Sequence, residues 1–345
     1  MGSGSVQYLL IKQRGVLRLA LPARNVRKQL LGLDYFQVFT RPARLWRFAV
    51  RAIVRARVAR WTFPVIPVDE LPLPINSLEF CKGVLQNDRE FIFQFPKMPH
   101  RRKYSILSET PQGLRYLKIA LDEKSKKELI REFQTRDLLE QTRFTSFQSP
   151  RLVHHFELQD VLVNEFEALP PGCRTERVWL PVHQHIWNEL SSVNHRIQPA
   201  EQTAWYHAIQ AAGGRHWATH LKGKKLHFSF VHGDFTPWNI LFKNNRVYLI
   251  DYEEADGCGP YLFDPLHYFL VASSIGTGNP LEEFRRIRKS LKRLHTGEDF
   301  EHHLLAALLH ERFMVQVLEP WMVDRLIEQT VDKILAGRKD FFSVS

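Results

Sequence analysis

Residues 231–254 read VHGDFTPWNILFKNNRVYLIDYEE and contain the polar side chains that decide the fold. Asp234 and Asp251 each follow an apolar run typical of a strand, and Asn239 follows Asp234 across a loop that contains Pro237. Phosphoryl transfer uses one carboxylate to position the attacking hydroxyl, and an amide oxygen and a second carboxylate to hold Mg²⁺. Because unpaired buried charges are expensive, this set predicts a phosphoryl-transfer site.

The spacing of these residues resembles the aminoglycoside phosphotransferase and choline kinase group, which has a protein-kinase-like fold. Its HGDxxxxN loop corresponds to His232, Asp234 and Asn239, and its apolar-apolar-Asp-x-Glu segment contains Asp251. The resemblance implies that Asp234 is the catalytic base and that His232 braces the loop. It further implies that Asn239 and Asp251 bind Mg²⁺, and that Asp264 anchors the catalytic loop.

A second group of residues concerns the nucleotide. The run LRYLKIAL at 114–121 places Lys118 within an apolar strand. By the same resemblance, Lys118 contacts the α- and β-phosphates of ATP or GTP and pairs with a glutamate of the next helix. Glu132 occupies the matching place, and Glu128, one turn earlier, is the alternative.

The segment LVNEFEALPPG at 162–172 resembles the hinge of that fold, whose backbone meets the adenine. The resemblance assigns this contact to Asn164, Glu165 and Phe166. The phosphate-covering loop falls in PKMPHRRK at 96–103, which lacks the glycines that usually cradle phosphate with bare backbone N–H groups. This departure leaves an alternative open, a kinase-like binding or regulatory module with little turnover.

The pattern of the chain predicts an α+β, two-lobed protein-kinase-like fold. Short apolar and aromatic runs between 77 and 121 predict a small antiparallel sheet, and a helix follows near 125–140. We expect a basic N-terminal helical extension at 1–68, an N-lobe at 77–165 and a mainly helical C-lobe at 166–335.

The N-terminal segment is strongly basic. Residues 1–68 contain thirteen Lys or Arg and one acidic residue, Asp34, which favours an anionic partner. As a helix, residues 41–61 place Arg44, Arg47, Arg51 and Arg55 on one face. One interpretation is adsorption to an anionic membrane surface, and the other is a helix that packs on the body and exposes its arginines.

The remaining composition narrows the class of protein. Three widely spaced cysteines without a CxxC pair, no apolar run of spanning length and no signal-like N-terminus favour a cytoplasmic protein, peripheral to a membrane at most. No nucleic-acid-reading motif is present, so no nucleic-acid partner is expected. We therefore expect a Mg-dependent kinase for a hydroxyl of a small molecule or sugar, with a lipid-linked glycan or lipopolysaccharide core sugar favoured as acceptor.

Overall fold

The structure, a computed structural model, describes residues 6–36, 38, 40–73, 90–96, 103–158, 160–275 and 280–342. The chain divides into two compact units. One unit comprises residues 1–137, 149–174 and 242–248, and the other comprises residues 138–148, 175–241 and 249–345. The predicted strand at 77–85 lies outside the described residues.

The first unit is built on an antiparallel sheet with eight strands in its described part. In chain order these strands are β1 (Gln7–Gln13), β2 (Val16–Pro22), β3 (Val65–Pro67), β4 (Ile92–Gln94), β5 (Lys103–Thr110), β6 (Gly113–Ala120), β7 (Leu152–Leu158) and β8 (Val161–Glu167). Their order across the sheet is β3-β1-β2-β4-β5-β6-β8-β7. Helices α1 (Val26–Tyr35), α2 (Arg41–Arg55), α3 (Ala59–Thr62) and α4 (Glu123–Glu140) complete the description of this part of the chain. The predicted α+β class and the antiparallel N-terminal sheet are confirmed.

The expectation of a helical extension over residues 1–68 is wrong for the first third of that segment. Residues 7–22 form a hairpin, β1–β2, which continues the sheet through β4. Arg14 and Gly15 both have positive φ at its turn, as a two-residue hairpin turn requires. Leu9 and Leu21 pair across the hairpin and are fully buried, so apolar burial prevails over the basic charge of the segment.

The second unit is mainly helical, as predicted. Its helices are α5 (Pro181–Ser192), α6 (Ala204–Ile209), α7 (Arg215–Ala218), α8 (Phe263–Ile275), α9 (Pro280–Leu294), α10 (Phe300–His310) and α11 (Pro320–Phe342). The remaining strands among the described residues are β9 (Arg174–Thr175), β10 (Arg196–Pro199), β11 (Lys225–Val231), β12 (Ile240–Lys243), β13 (Arg246–Leu249) and β14 (Asp256–Pro260). Strand β11 pairs with β10 on one side and β14 on the other.

Helices α8 and α10 form the centre of the second unit. Both are apolar nearly all round, the pattern of a helix buried on every side. Leu266 and Leu270 of α8 and Leu304 of α10 share one buried cluster with Phe228 of β11. This packing holds the end of β11 against the start of α8, where the predicted catalytic residues lie.

Candidate active site

The 232–239 loop begins where β11 ends, as the apolar run before Asp234 predicted. Gly233 has φ +82°, a conformation that glycine adopts without steric penalty. A Cβ at this position would overlap the carbonyl of Glu254, so the loop and the segment after Asp251 approach each other at the glycine. Glycine is required here for both its backbone conformation and its lack of a side chain.

Asp264, in the first turn of α8, binds the start of the loop. Its carboxylate accepts hydrogen bonds from the backbone N–H groups of His232 at 2.8 Å and Gly233 at 3.1 Å. The side chain is 1% exposed, and burial raises the pKa of Asp264 to about 6 although both hydrogen bonds favour the ionised form. The contact is the one that the resemblance implied for Asp264.

The fully buried ring of His232 connects the two chain segments of the site. Its Nδ1 accepts from the backbone N–H of Asp234 at 3.3 Å, which assigns the ring proton to Nε2. Nε2 in turn donates to the carbonyl of Ile250 at 3.0 Å. Because both ring nitrogens bind backbone groups, His232 holds the loop against the chain before Asp251.

Asp234 and Asn239 are in direct contact. The Nδ2 of Asn239 donates to Oδ2 of Asp234 at 2.8 Å and to the backbone carbonyl of Asp234 at 2.9 Å. The backbone carbonyl of Asn239 accepts from the N–H of Ile250 at 3.0 Å, which holds the residue before Asp251 against the loop. The structure thus brings Asp234, Asn239 and the chain at Asp251 together.

Two buried residues that the sequence did not single out extend this site. Nε2 of His267, on α8, lies 3.3 Å from Oδ1 of Asp234, and its Nδ1 lies 2.6 Å from Oε2 of Glu311. Burial lowers the pKa of His267, but the charge of Glu311 and the contact with Asp234 raise it overall to about 10. His267 and Asp234 are 33 residues apart in the chain, so their spacing does not indicate that they meet. The available sequence signal is that His267 lies in the apolar run FDPLHYF, which also contains Asp264.

The same contacts act on Asp234. Burial alone would raise the pKa of Asp234, but the hydrogen bond and charge of His267, with the contacts to His232 and Asn239, bring it below its ordinary value. The carboxylate keeps 23% of its surface exposed. It is therefore an ionised group that a small molecule can reach, as a base or a positioning group must be.

The donor groups fit a divalent ion. Because Nδ2 of Asn239 is turned toward Asp234, its Oδ1 is the atom of that amide suited to bind a cation. Asp251 supplies a carboxylate from a left-handed conformation, φ +69°, at the end of β13. One amide oxygen and one carboxylate are oxygen ligands of the kind that Mg²⁺ takes beside phosphate groups.

In the first unit, Lys118 of β6 and Glu132 of α4 form an ion pair of 2.9 Å. Glu132 is 1% exposed and also lies 3.5 Å from Nδ2 of Asn164. The alternative partner, Glu128, pairs instead with Lys103 at 2.9 Å. Glu132 is therefore the glutamate that holds Lys118.

The strand pairing does not favour the predicted adenine contact of Asn164, Glu165 and Phe166. These residues lie inside β8, which pairs with β6 on one side and β7 on the other. Their backbone groups face neighbouring strands and so do not offer a nucleotide the row of free groups that a hinge needs. The phosphate-covering loop lies outside the described residues between 97 and 102.

Comparison with known proteins gives a family match for one part of the chain. Residues 167–296 match the family model described as "Phosphotransferase enzyme family" (APH). A comparison with curated proteins found no match. The matched range contains Asp234, Asn239, Asp251 and His267.

Two solved structures illustrate the similar folds. A thermostable mutant of aminoglycoside phosphotransferase APH(4)-Ia with ADP and hygromycin B has 11% identity and a TM-score of 0.47, covering 76% of this chain and 98% of that one. An aminoglycoside phosphotransferase of the APH(2") type with GDP and kanamycin has 13% identity and a TM-score of 0.48, covering 77% and 99%. The family match over residues 167–296, on the site described above, confirms the predicted resemblance to the aminoglycoside phosphotransferases and the enzyme class of small-molecule kinase.

Proposed function

We propose that the protein transfers the γ-phosphate of ATP or GTP to a hydroxyl group of a sugar-containing acceptor, in a reaction that needs Mg²⁺. The observation that carries this proposal is the contact between the amide of Asn239 and the carboxylate of Asp234, 2.8 Å, next to the chain at Asp251. It supports an arrangement in which Asn239 binds the base, Asp234, through its Nδ2 and would bind the cation through its Oδ1.

Each residue has a distinct part in the proposed reaction. Asp234 aligns the acceptor hydroxyl and takes its proton as the oxygen attacks phosphorus. Asn239 and Asp251 would bind Mg²⁺, which when bound offsets the negative charge of the phosphates. Lys118, held by Glu132, is suited to contact the α- and β-phosphates, since the ion pair keeps its ammonium group in one direction.

The direct test is an acceptor screen with γ-labelled ATP and GTP, in which the wild type is compared with Asp234→Asn. We expect transfer to a sugar hydroxyl by the wild type and not by the variant. Nucleotide binding that shifts the melting temperature without any transfer would favour the alternative, a kinase-like module with little turnover. If the wild type shows no nucleotide binding and no transfer, the proposal is contradicted.

The surface of the N-terminal helices supports an acceptor that resides at a membrane. Residues Val50 and Val54 of α2 are buried, whereas Leu45 and Phe48 on the opposite side are 71% and 72% exposed. Trp61 of α3 is 86% exposed. Leu45 and Phe48 are three residues apart on α2 and so are neighbours on its surface, and adjacent exposed apolar side chains mark a binding surface.

The charge around these side chains points to an anionic bilayer as that partner. Arg44 and Arg55 are exposed on α2, while Arg47 binds the carbonyl of Phe36 and Arg51 binds Asp34. Thus α2 packs on the body through part of its basic face and also presents arginines beside exposed apolar residues. Arginine with Leu, Phe and Trp is the composition of helices that lie in the interface of anionic membranes. No helix of the described residues meets the length and hydropathy of a membrane span.

Flotation with vesicles tests the membrane proposal. A variant with serine at Leu45, Phe48 and Trp61 is expected to lose binding to vesicles that contain phosphatidylglycerol. A control variant has serine at three other exposed apolar residues of the second unit, Val178, Ile197 and Val317, which are 69%, 56% and 51% exposed, and it is expected to float like the wild type. Equal recovery of both variants, or binding to neutral vesicles alone, would contradict an anionic membrane surface as the partner.

A further inference from the structure

We infer that His267 is a positioning residue of the proposed reaction: an imidazolium, locked in place by Glu311, that fixes the direction of the Asp234 carboxylate. This inference rests on the proposed function. His267 does not contact the acceptor in this scheme, since its ring is fully buried. It acts through Asp234 alone.

The charge of His267 follows from the hydrogen bonds of its ring. Nε2 faces Oδ1 of Asp234 and Nδ1 faces Oε2 of Glu311. An ionised carboxylate can only accept hydrogen bonds, and a neutral imidazole carries a single N–H. Both contacts are satisfied together when both ring nitrogens carry a proton, with a positive charge between two negative ones. Burial without such partners would favour the neutral ring.

Glu311 is held as firmly as the ring that it binds. Its side chain is fully buried, and its second oxygen, Oε1, accepts from the backbone N–H of Leu318 at 3.2 Å. The glutamate stands at the start of the π-helical turn Glu311–Val315 that follows α10, and the chain then turns at Gln316 with φ +58°. Because Glu311 is bound on both oxygens, it holds the imidazole at one rotation.

The consequence for Asp234 is a carboxylate with a fixed plane. His267 binds Oδ1 and Asn239 binds Oδ2, so each oxygen has its own donor. The torsion that turns a carboxylate is otherwise broad. With both oxygens held, the remaining lone pairs keep one direction toward the exposed side, which is the preorganisation that a base needs in order to align a hydroxyl.

Other titratable groups also surround this pair. Asp264, on the same helix, and His310, next to Glu311, interact electrostatically with His267, and His232 interacts with Asp234. His310 accepts the indole N–H of Trp205 and is held neutral by burial, which lowers its pKa to about 4. The imidazolium is therefore flanked by acidic groups and neutral histidines, which favours its charge.

Two substitutions separate positioning from simple packing. His267→Leu removes both hydrogen bonds, and we expect kcat to fall about 10²-fold with the nucleotide KM little changed, since a displaced base slows the chemical step. His267→Gln keeps an N–H that can reach Asp234, and its kcat should exceed that of the leucine variant about tenfold. His303→Gln is the matched control, because His303 is also buried but binds Asp299 and the backbone of His227. It should lower the melting temperature and leave kcat unchanged.

A spectroscopic measurement reports the charge directly and needs no turnover. In the full chain labelled with ¹⁵N-histidine, at pH 8.5, we expect one doubly protonated imidazole in the wild type that disappears in His267→Leu. Only neutral histidines at that pH would overturn the inference. Leucine and glutamine variants whose kcat is equal would also overturn it while leaving the proposed function intact. A wild type without phosphoryl transfer would instead overturn the proposed function, and the positioning role with it.

Discussion

The two units each contain a cation that pairs with a buried carboxylate, and the two arrangements differ in their charge balance. Lys118 and Glu132 form a pair of one cation and one carboxylate, whose charges cancel. His267 lies between Asp234 and Glu311, so this triad keeps one net negative charge. A neutral pair can orient its lysine toward an anionic phosphate, whereas a triad with an excess of negative charge suits a group that accepts a proton. The difference predicts that Lys118 affects nucleotide binding and that Asp234 affects the chemical step.

The largest effect is expected at the carboxylate of the triad. Asp234→Asn removes the group that accepts the proton, so kcat should fall by about 10³-fold or more, within the range of general-base catalysis. Nucleotide affinity should stay within about twofold of the wild type, because affinity depends on other residues. Single-turnover transfer and equilibrium binding measure the two quantities. A variant that loses affinity but keeps the rate of transfer would reverse the comparison.

In the neutral pair, a substitution should act on stability and affinity together. Lys118→Met leaves Glu132, 1% exposed, without its cation, so unfolding free energy should fall by about 3–5 kcal/mol. The double variant Lys118→Met with Glu132→Leu removes both charges and should recover most of that loss in urea denaturation. Nucleotide affinity should remain weakened in both variants. Its recovery in the double variant would show that Lys118 does not contact phosphate.

The backbone that supports Asp234 can be tested at its glycine. Gly233→Ala places a Cβ against the carbonyl of Glu254 at a left-handed φ, and we expect destabilisation of about 2–3 kcal/mol. Gly223→Ala is the control, since Gly223 also has positive φ, +73°, but nothing within 4 Å of the added atom. It should cost about 1 kcal/mol. Equal losses of free energy would mean that the contact with Glu254 does not matter.

The smallest effect is the pH dependence of stability. Burial lowers the pKa of His303 and of His310 to about 4, so the unfolded chain binds more protons between pH 6.5 and 4 and stability falls as pH falls through this window. The raised pKa of His267 acts oppositely. Its contribution is complete below pH 6.5 and is lost as pH rises toward 10.

Urea denaturation at pH 5, 7.5 and 9.5 should therefore give the highest unfolding free energy near neutral pH, with differences on the order of 1–2 kcal/mol. His303→Gln should flatten the acid side, and His267→Gln should flatten the alkaline side. Stability that rises steadily from pH 5 to 9.5 would contradict the assigned charge states.

The sequence predicted contacts made by side chains better than contacts made by backbone groups. The side chain of Asn239 binds Asp234, and Asp264 binds the backbone of the same loop, as the resemblance implied. The spacing of a motif indicates which side chains lie close together in the fold. The predicted adenine contact lies inside β8, whose backbone groups pair with β6 and β7. A sequence pattern does not show which backbone groups are paired with neighbouring strands.

Two further features had weak or no sequence signals. The Arg14–Gly15 turn between the apolar runs YLLI and LRLAL indicates the hairpin β1–β2. The basic charge of residues 1–68 favoured a helical extension instead. Glu311 had none, because its partner His267 is 44 residues away and a single glutamate after an apolar helix resembles a surface residue. Long-range pairs of this kind depend on how α8 and the turn after α10 pack, which periodicity alone does not determine.

The proposed reaction requires that Asp234 acts beside a divalent ion that Asn239 and Asp251 would hold. The most direct measurement is the thermal shift caused by ATP with and without Mg²⁺ in the wild type, Asn239→Ala and Asp251→Asn. The account predicts that Mg²⁺ enlarges the shift in the wild type and that this enlargement is lost in both variants. An Mg²⁺-dependent shift of equal size in all three proteins would contradict it.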